Sequence, residues 1–453
     1  MSDLETMLSG WGRYPVVKNT VVRPEKVAGL RALVASASSV IARGAGRSYG
    51  DAALNGTGRT ILTERLNRML GFDEETGVLR CEAGVTLDEI LVTFVPRGWF
   101  LPVTPGTRYV TVGGAVAFDV HGKNHHCDGS FSNFVHRFDL LTASGETISC
   151  SRHEQPDVFW ATIGGAGLTG IITEVTFALR RIETAFVNLH TTKARHLDEA
   201  LALFDEHEPA YPYSVAWIDC LASGRSLGRS LLMFATHARR SDLKPSRAAD
   251  PLRYQPRSRL SMPIDLPGGV LNRLTIKAFN QFYYSHQWGK ERRSLQTIDA
   301  FFFPLDAIRH WNRMYGKRGF VQYQCVFPPD AGREALVTML TQLSRDGRAS
   351  FLAVLKRFGP ASEGMLAFPT PGYTLALDMP VRDGLDDALH ALNRLVRDRG
   401  GRVYLAKDAH LTPEDFQAMY PRYPEWLAVK SRIDPTGVFA STLSERLQIH
   451  PLS

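Results

Sequence analysis

The chain has 453 residues, 44% hydrophobic and 22% charged, which is ordinary for a folded protein and long enough for two or three globular domains. Lys and Arg (53) exceed Asp and Glu (46) by only +7, too little by itself to mark a polyanion binder. Five scattered cysteines with no C-x-x-C exclude a disulfide framework and a zinc ribbon. With an acidic start that lacks an apolar signal core, and no run near the ~20 apolar residues of a span, they predict a cytoplasmic protein whose membrane contact, if any, is peripheral.

Residues 21–36 predict a helix opening near Pro24, with Val27, Leu30, Leu33 and Val34 on its apolar face. A strand near 39–42 then runs into the most informative stretch, Ile41 to Asp51. Gly44 and Gly46 free the backbone to turn its amides toward an anion, and Arg43 and Arg47 add donors suited to phosphate oxygens. A pyrophosphate cradle and a plain strand–turn with two surface arginines are equally compatible with these residues alone. The spacing is neither a P-loop nor the G-x-G-x-x-G of dinucleotide folds.

Strands are predicted at 60–63 and 78–83, and a helix from Thr86 to Phe94, where Thr86 and Glu89 form a capping box. A loop with two prolines follows from Gly98 to Arg108, then a small-residue stretch from Gly113 to Val120. His121, Lys123, His125 and His126 crowd the next six positions. A metal site is not expected there. Gly122 and Asn124 disfavour the helix that would align His121 with His125, and no H-E-x-x-H is present; a polar loop lining a cofactor cleft fits better. Strands at 137–143, 146–150 and 170–180 flank a third glycine cluster, Gly164, Gly165, Gly167 and Gly170. Three such loops within 130 residues argue for one extended ligand, with a dinucleotide the natural candidate. The alternation predicts an α+β domain over 1–184.

Beyond 185 the strands lengthen, at 213–218, 231–235, 319–327, 350–356 and 373–379, with helices at 332–344 and 386–399. A broad antiparallel sheet backed by helices is predicted over 185–401. Between Arg225 and Arg259 nine Lys/Arg face two acids, with three prolines, which predicts a mobile solvated loop or else a face toward an anionic membrane or phosphorylated substrate. The tail, 402–453, has Trp426, Val429 and Ile433 at helical spacing and is expected to return to the cofactor region. The basic excess carries no nucleic-acid motif, and no nucleic-acid partner is expected.

Taken together, Arg43 to Gly50, Thr107 with Thr111 to Gly114, and Gly164 to Ile172 resemble the FAD-linked oxidases of the vanillyl-alcohol oxidase type. Within that family the likeness is to the polyprenylphosphoryl-ribose 2′-oxidases. It is carried by His121 to His126, Phe320 to Gln324, Lys356 to Pro360, Ala406 to Asp408 and Ala418 to Arg422, and it runs from about residue 10 to 445.

The resemblance implies a two-domain FAD-binding fold. It also implies oxidation of a lipid-linked ribose to its 2′-keto sugar, the first half of an epimerisation to arabinose that a short-chain reductase partner completes. An oxidase of a soluble alditol or aldonolactone, and a non-catalytic FAD- or anion-binding module, are the competing readings. Ala42, Arg43, Gly44, Ala45, Gly46, Arg47, Ser48, Tyr49, Gly50, Asp51 and Ala52 would wrap the pyrophosphate of FAD. Gly106, Thr111, Val112, Gly113, Gly114, Phe118, Asp119, Val120 and His121 would complete the cradle, with Ile172 near the adenine and Tyr404 near the flavin. Arg47 replaces the histidine that tethers flavin in many relatives, so non-covalent FAD is expected.

On the substrate side the resemblance implies Tyr49, His121, Lys123, Gln324, Lys356, Phe358 and Lys407, with Trp217 and Phe303 as apolar walls. Lys407 would stabilise charge on the reduced ring, and Lys356 or Lys123 would hold substrate. His121, ahead of Tyr49, is the candidate base. Thr374 and Ala376 stand where the mycobacterial enzymes carry an asparagine and a reactive cysteine, which changes the substrate contacts expected there.

Overall fold

The computed structural model describes residues 3–256, 260–267, 269–287, 289–347 and 352–452. Its N-terminal half holds two large sheets and the two-stranded pair Trp99–Phe100 with Arg180–Arg181. A mixed four-stranded sheet has the spatial order Leu4–Ser9, Val16–Val22, Arg59–Leu62, Val40–Arg43, the last three strands parallel. A five-stranded antiparallel sheet follows, in the order Met69–Phe72, Val78–Glu82, Ile171–Ala178, Val135–Leu141, Thr147–Ser151. The helix Leu87–Phe94 opens on the Thr86–Glu89 capping box read from the sequence.

The C-terminal half is an eight-stranded antiparallel sheet. Its spatial order is Glu291–Thr297, Phe186–Ala194, Ser230–His237, Tyr213–Ile218, Ala353–Phe358, Gly372–Pro380, Phe320–Phe327, Arg402–Val403. Helices Leu197–His207, Pro329–Asp346 and Leu385–Asp398 pack on one face. The fold is therefore α+β, with a broad antiparallel sheet backed by helices as the sequence predicts.

The register of this sheet decides what its uncovered face presents. Gln324 pairs with Ala376, Gln322 with Asp378, Lys356 with Thr374 and Val354 with Ala376. Trp217 pairs with Val354 and Leu231, and Met233 with Val215 and Thr191. Because successive side chains alternate faces, these residues share one side. That side is polar on the strands at 320–327 and 372–380. It is apolar on those at 213–218 and 230–237.

Some expectations are corrected. The helix read from 21–36 is confined to Ala28–Ala35, because Val16–Val22 is drawn into the first sheet by pairing with both Leu4–Ser9 and Arg59–Leu62. The basic segment from Arg225 is not a single loop. Its Ser230–His237 strand sits inside the large sheet, and Arg229 is tied to Asp219 at 2.6 Å; Arg257 and Arg259 lie outside the described residues. Of the strand read at 350–356, Ser350 and Phe351 also lie outside them, and the observed strand begins at Ala353. The helix Arg273–His286 and the strands Phe186–Ala194 and Glu291–Thr297 went unread.

The C-terminal tail returns to the first half. Phe439 bridges Val40, and Arg446 pairs with Asp51 and Asp408. Trp426, fully buried on the helix Tyr423–Ile433, donates from its indole nitrogen to the Ala161 carbonyl at 2.8 Å.

Candidate active site

A cavity of about 1140 Å³ runs from the glycine loops of the first half to the uncovered face of the large sheet. At its inner end the loop after Val40–Arg43 packs so closely on the Thr111 turn that a Cβ at Gly44 would lie 2.3 Å from Thr111 Oγ1. Gly46 takes the left-handed conformation, φ +61°, and a side chain there would strike the Arg43 guanidinium. Thr111 itself caps the short helix Val112–Ala117, its Oγ1 accepting from Gly114 N. The cradle is thus bare backbone by construction.

Most residues expected to hold the cofactor line this cavity. Ala42, Gly44, Ala45, Gly46, Arg47, Ser48, Tyr49 and Ala52 come from the first loop. Gly106, Thr111, Gly113, Gly114, Phe118, Val120 and His121 come from the second region, and Ile172 and Tyr404 join them. Val112 is buried beneath the turn. Other members have different work. Arg43 donates to the carbonyls of Ser9 (2.7 Å) and Ala53 (3.3 Å), fixing the loop. Gly50 abuts the Asp408 carbonyl, and Asp51 is paired with Arg446. Asp119 is fully buried and accepts from Ser132 N and the Ser362 hydroxyl.

Arg47 is different again. Its guanidinium stacks 4.1 Å from the Trp11 ring and 5.1 Å from Tyr109, and among the described residues its buried Nε has no hydrogen-bond partner. A bare-backbone cradle, an unpartnered buried donor and a long cavity fit a pyrophosphate-bearing dinucleotide.

The polar end of the sheet meets the histidine loop. Gln324 contacts His121 Nε2 at 3.1 Å and donates to Thr374 Oγ1 at 3.0 Å, while Lys356 Nζ lies 3.0 Å from His121 Nδ1. Burial, with Lys356 adding to it, holds His121 well below its usual pKa, so the ring is neutral. A neutral imidazole offers one donor and one acceptor. Two arrangements satisfy it. Either an uncharged Lys356 accepts from Nδ1–H while the Gln324 amide donates to Nε2, or a charged Lys356 donates to Nδ1 and the Gln324 carbonyl oxygen accepts from Nε2–H. Burial and the neighbouring Lys407 and Lys123 push the Lys356 pKa well down, which favours the first. Phe358 packs on His121 and His125 with centroids 4.7 and 4.5 Å away, behind the cavity wall. His125 bonds Ser130 and Gly359 N, and His126 the Tyr211 carbonyl.

Lys123 donates to the carbonyls of Phe301 and Phe302, and burial lowers its pKa to about 7. Phe303 is buried beside these rings, away from the cavity lining. Lys407 donates to Gln322 Oε1 and lies 5.1 Å from the Tyr49 ring centroid. Burial lowers Lys407 to about 8, and the Asp378 carboxylate works against that fall. Tyr49 is pushed well above its usual pKa, chiefly by burial, and is a phenol rather than a phenolate at neutral pH.

Sequence reasoning missed Gln322, Asp378 and Tyr315. Asp378 is fully buried and accepts from Gln322 Nε2 at 2.6 Å and from Tyr315 Oη at 2.8 Å. A lone acid in the apolar strand Gly372–Pro380 was the signal available. Trp11 and Tyr109, which hold Arg47, carried none.

The description "FAD binding domain" fits residues 19–151, and "D-arabinono-1,4-lactone oxidase" fits residues 380–447. The chain is 41% identical to the decaprenylphosphoryl-beta-D-ribose oxidase of Mycolicibacterium smegmatis, over 98% of this chain and 97% of that protein. An uncharacterized protein from the mprA 5′ region of Streptomyces coelicolor is 34% identical over 80% of this chain and all of its own length. The L-gulonolactone oxidase of Bos taurus is 25% identical over 96% of this chain and 97% of that protein.

Proposed function

The chain belongs to the FAD-linked oxidases, and on that premise we propose that it oxidises the ribose 2′-hydroxyl of a polyprenylphosphoryl ribose to the ketone. The observation that carries this reading is the graded floor of the cavity. Gln322, Gln324 and Lys356 suit a sugar, while Val354, Trp217, Val215, Leu231 and Met233 continue the same surface as an apolar arm. That arm is surplus to a soluble alditol or aldonolactone.

FAD held there would supply the redox chemistry, as acceptor of the hydride from the sugar carbon. The chain's residues do the rest. The glycine loops and Arg47 hold the diphosphate. Lys407, kept cationic by Asp378 through Gln322, places positive charge where negative charge develops. Gln324 and Lys123 orient the sugar.

The hydroxyl proton needs an acceptor. We assign it to the Lys356–His121 pair in place of the His121 ring alone, whose two nitrogens are both engaged. His121 passes its Nδ1 proton to the Lys356 amine, which becomes an ammonium, and takes the hydroxyl proton at Nε2, which the Gln324 amide vacates by turning over so that its carbonyl oxygen accepts from the new Nε2–H; the first hydrogen-bond arrangement becomes the second. Tyr49, protonated, serves as a donor.

A 2′-ketone must be reduced to yield the epimer, so a hydride-donating reductase is the expected partner. Among the described residues no helix is long and apolar enough to cross a membrane. The test is anaerobic mixing of the yellow enzyme with polyprenylphosphoryl ribose. Bleaching of the flavin by this compound is expected; bleaching by free sugars alone refutes the reading.

A further inference from the structure

Large hydrophobic side chains stand exposed around the outer end of the apolar arm. Leu274 and Phe282 are 79% and 67% exposed on the helix Arg273–His286, and Leu260 and Ile264 are 65% and 64% exposed just before it. Leu274, Ala278 and Phe282 are spaced four apart and form one outward stripe. On the adjoining side Phe279, Tyr283 and His286 line the arm itself. The opposite side is anchored by buried Ile276 and by Asn280, which donates to Asp219 at 2.7 Å. Leu260 flanks the same opening, because it pairs with Ile308, another lining residue.

Cations surround this surface. Arg273, Lys277, Lys290, Arg292 and Arg293 are exposed. The acids between 260 and 297 are Asp265, which is paired with Arg13, and Glu291, which faces His190.

We propose that Arg273–His286 and the 260–267 segment form a bilayer-docking surface, seated in the headgroup–acyl boundary of an anionic membrane. An apolar face rimmed with Lys and Arg is the chemistry of an interfacial helix. A second copy of the chain fits less well, since a two-fold contact would bring the same cations face to face. The surface would let the arm open directly onto lipid, so that a substrate's prenyl tail need not leave the bilayer entirely. That last role rests on the proposed substrate; the docking itself does not.

The test uses the holoenzyme and vesicles of phosphatidylcholine with roughly one third phosphatidylglycerol, free of any sugar lipid. Wild type should co-sediment, and the double variant Leu274→Ser/Phe282→Ser should partition about tenfold less or worse, with its flavin spectrum and melting temperature unchanged. Equal partitioning of the two proteins overturns the proposal. So does failure of wild type to bind while the double substitution converts a dimer to a monomer in light scattering. Vesicle binding that the variant loses, with no turnover of lipid-linked ribose by either protein, upholds docking and rejects the substrate assignment.

Discussion

Asp378 and Lys407 are joined through one amide, with Gln322 donating to the carboxylate at 2.6 Å and accepting from the ammonium. The carboxylate is raised by burial and the lysine lowered by it, so each charge is tolerated because of the other. This relation sets the pH range in which the site keeps a cation on Lys407.

Activity should therefore fall as pH rises through about 8, where Lys407 loses its proton. Asp378→Asn removes the attraction that opposes this loss, so the alkaline limb of kcat should move to lower pH by roughly one unit. Stopped-flow reduction rates across pH check it. An unmoved limb would separate Asp378 from the charge state of Lys407.

Lys407→Met should bind FAD but reduce it slowly, with kcat down by about 10²–10³-fold. Flavin content by absorbance and single-turnover rates distinguish this from loss of cofactor. Full turnover in the variant would remove Lys407 from the chemistry.

Gly44→Val should purify with little flavin, because any Cβ meets Thr111 Oγ1 at 2.3 Å. Gly71→Ala has open space around the new atom and should retain a full complement. The ratio of flavin to protein absorbance reads both.

Trp217→Ala shortens a wall of the apolar arm. Loss of one large apolar contact should raise KM for long-chain substrates by about tenfold or more and leave short-chain analogues nearly unchanged. Equal effects on both would place Trp217 at the sugar end.

Denaturing the protein in acid should release all of its flavin into the supernatant, since Arg47, stacked on Trp11 and Tyr109, offers no nucleophile for a covalent tether. Yellow colour retained in the pellet would contradict this.

The cradle was legible in the chain because glycine leaves a mark that few other constraints imitate. Gly44 and Gly46 line the cavity where a side chain would strike Thr111 or Arg43, and their spacing drew notice to the loop although a plain strand–turn fitted those residues equally well. The Arg43 reading shows the limit. Two arginines four apart look alike on paper, yet one donates to the carbonyls of Ser9 and Ala53 and the other faces the cavity. Only tertiary packing separates them, because the partners of Arg43 include Ser9, thirty-four positions away. The short N-terminal strands escaped for a similar reason. Val16–Val22 is held by pairing with Arg59–Leu62, a non-local contact that local pattern does not encode. The helix Arg273–His286 went unread although apolar residues recur through it at helical spacing; that Leu274 and Phe282 face outward is set by tertiary packing, which local pattern does not encode.

The two ends of the cavity floor stand on different strands of one register-locked sheet. A lineage could therefore retune the apolar end by substitutions at Val215, Trp217, Leu231 and Met233 while Gln322, Gln324 and Asp378 stay untouched. A slip of one position in Gly372–Pro380 would instead turn Asp378 and Thr374 toward the helices and bring Leu375 and Leu377 to the polar end of the cavity. Diversification of the apolar end is open to this scaffold by point change; loss of the polar end needs only a single inserted residue.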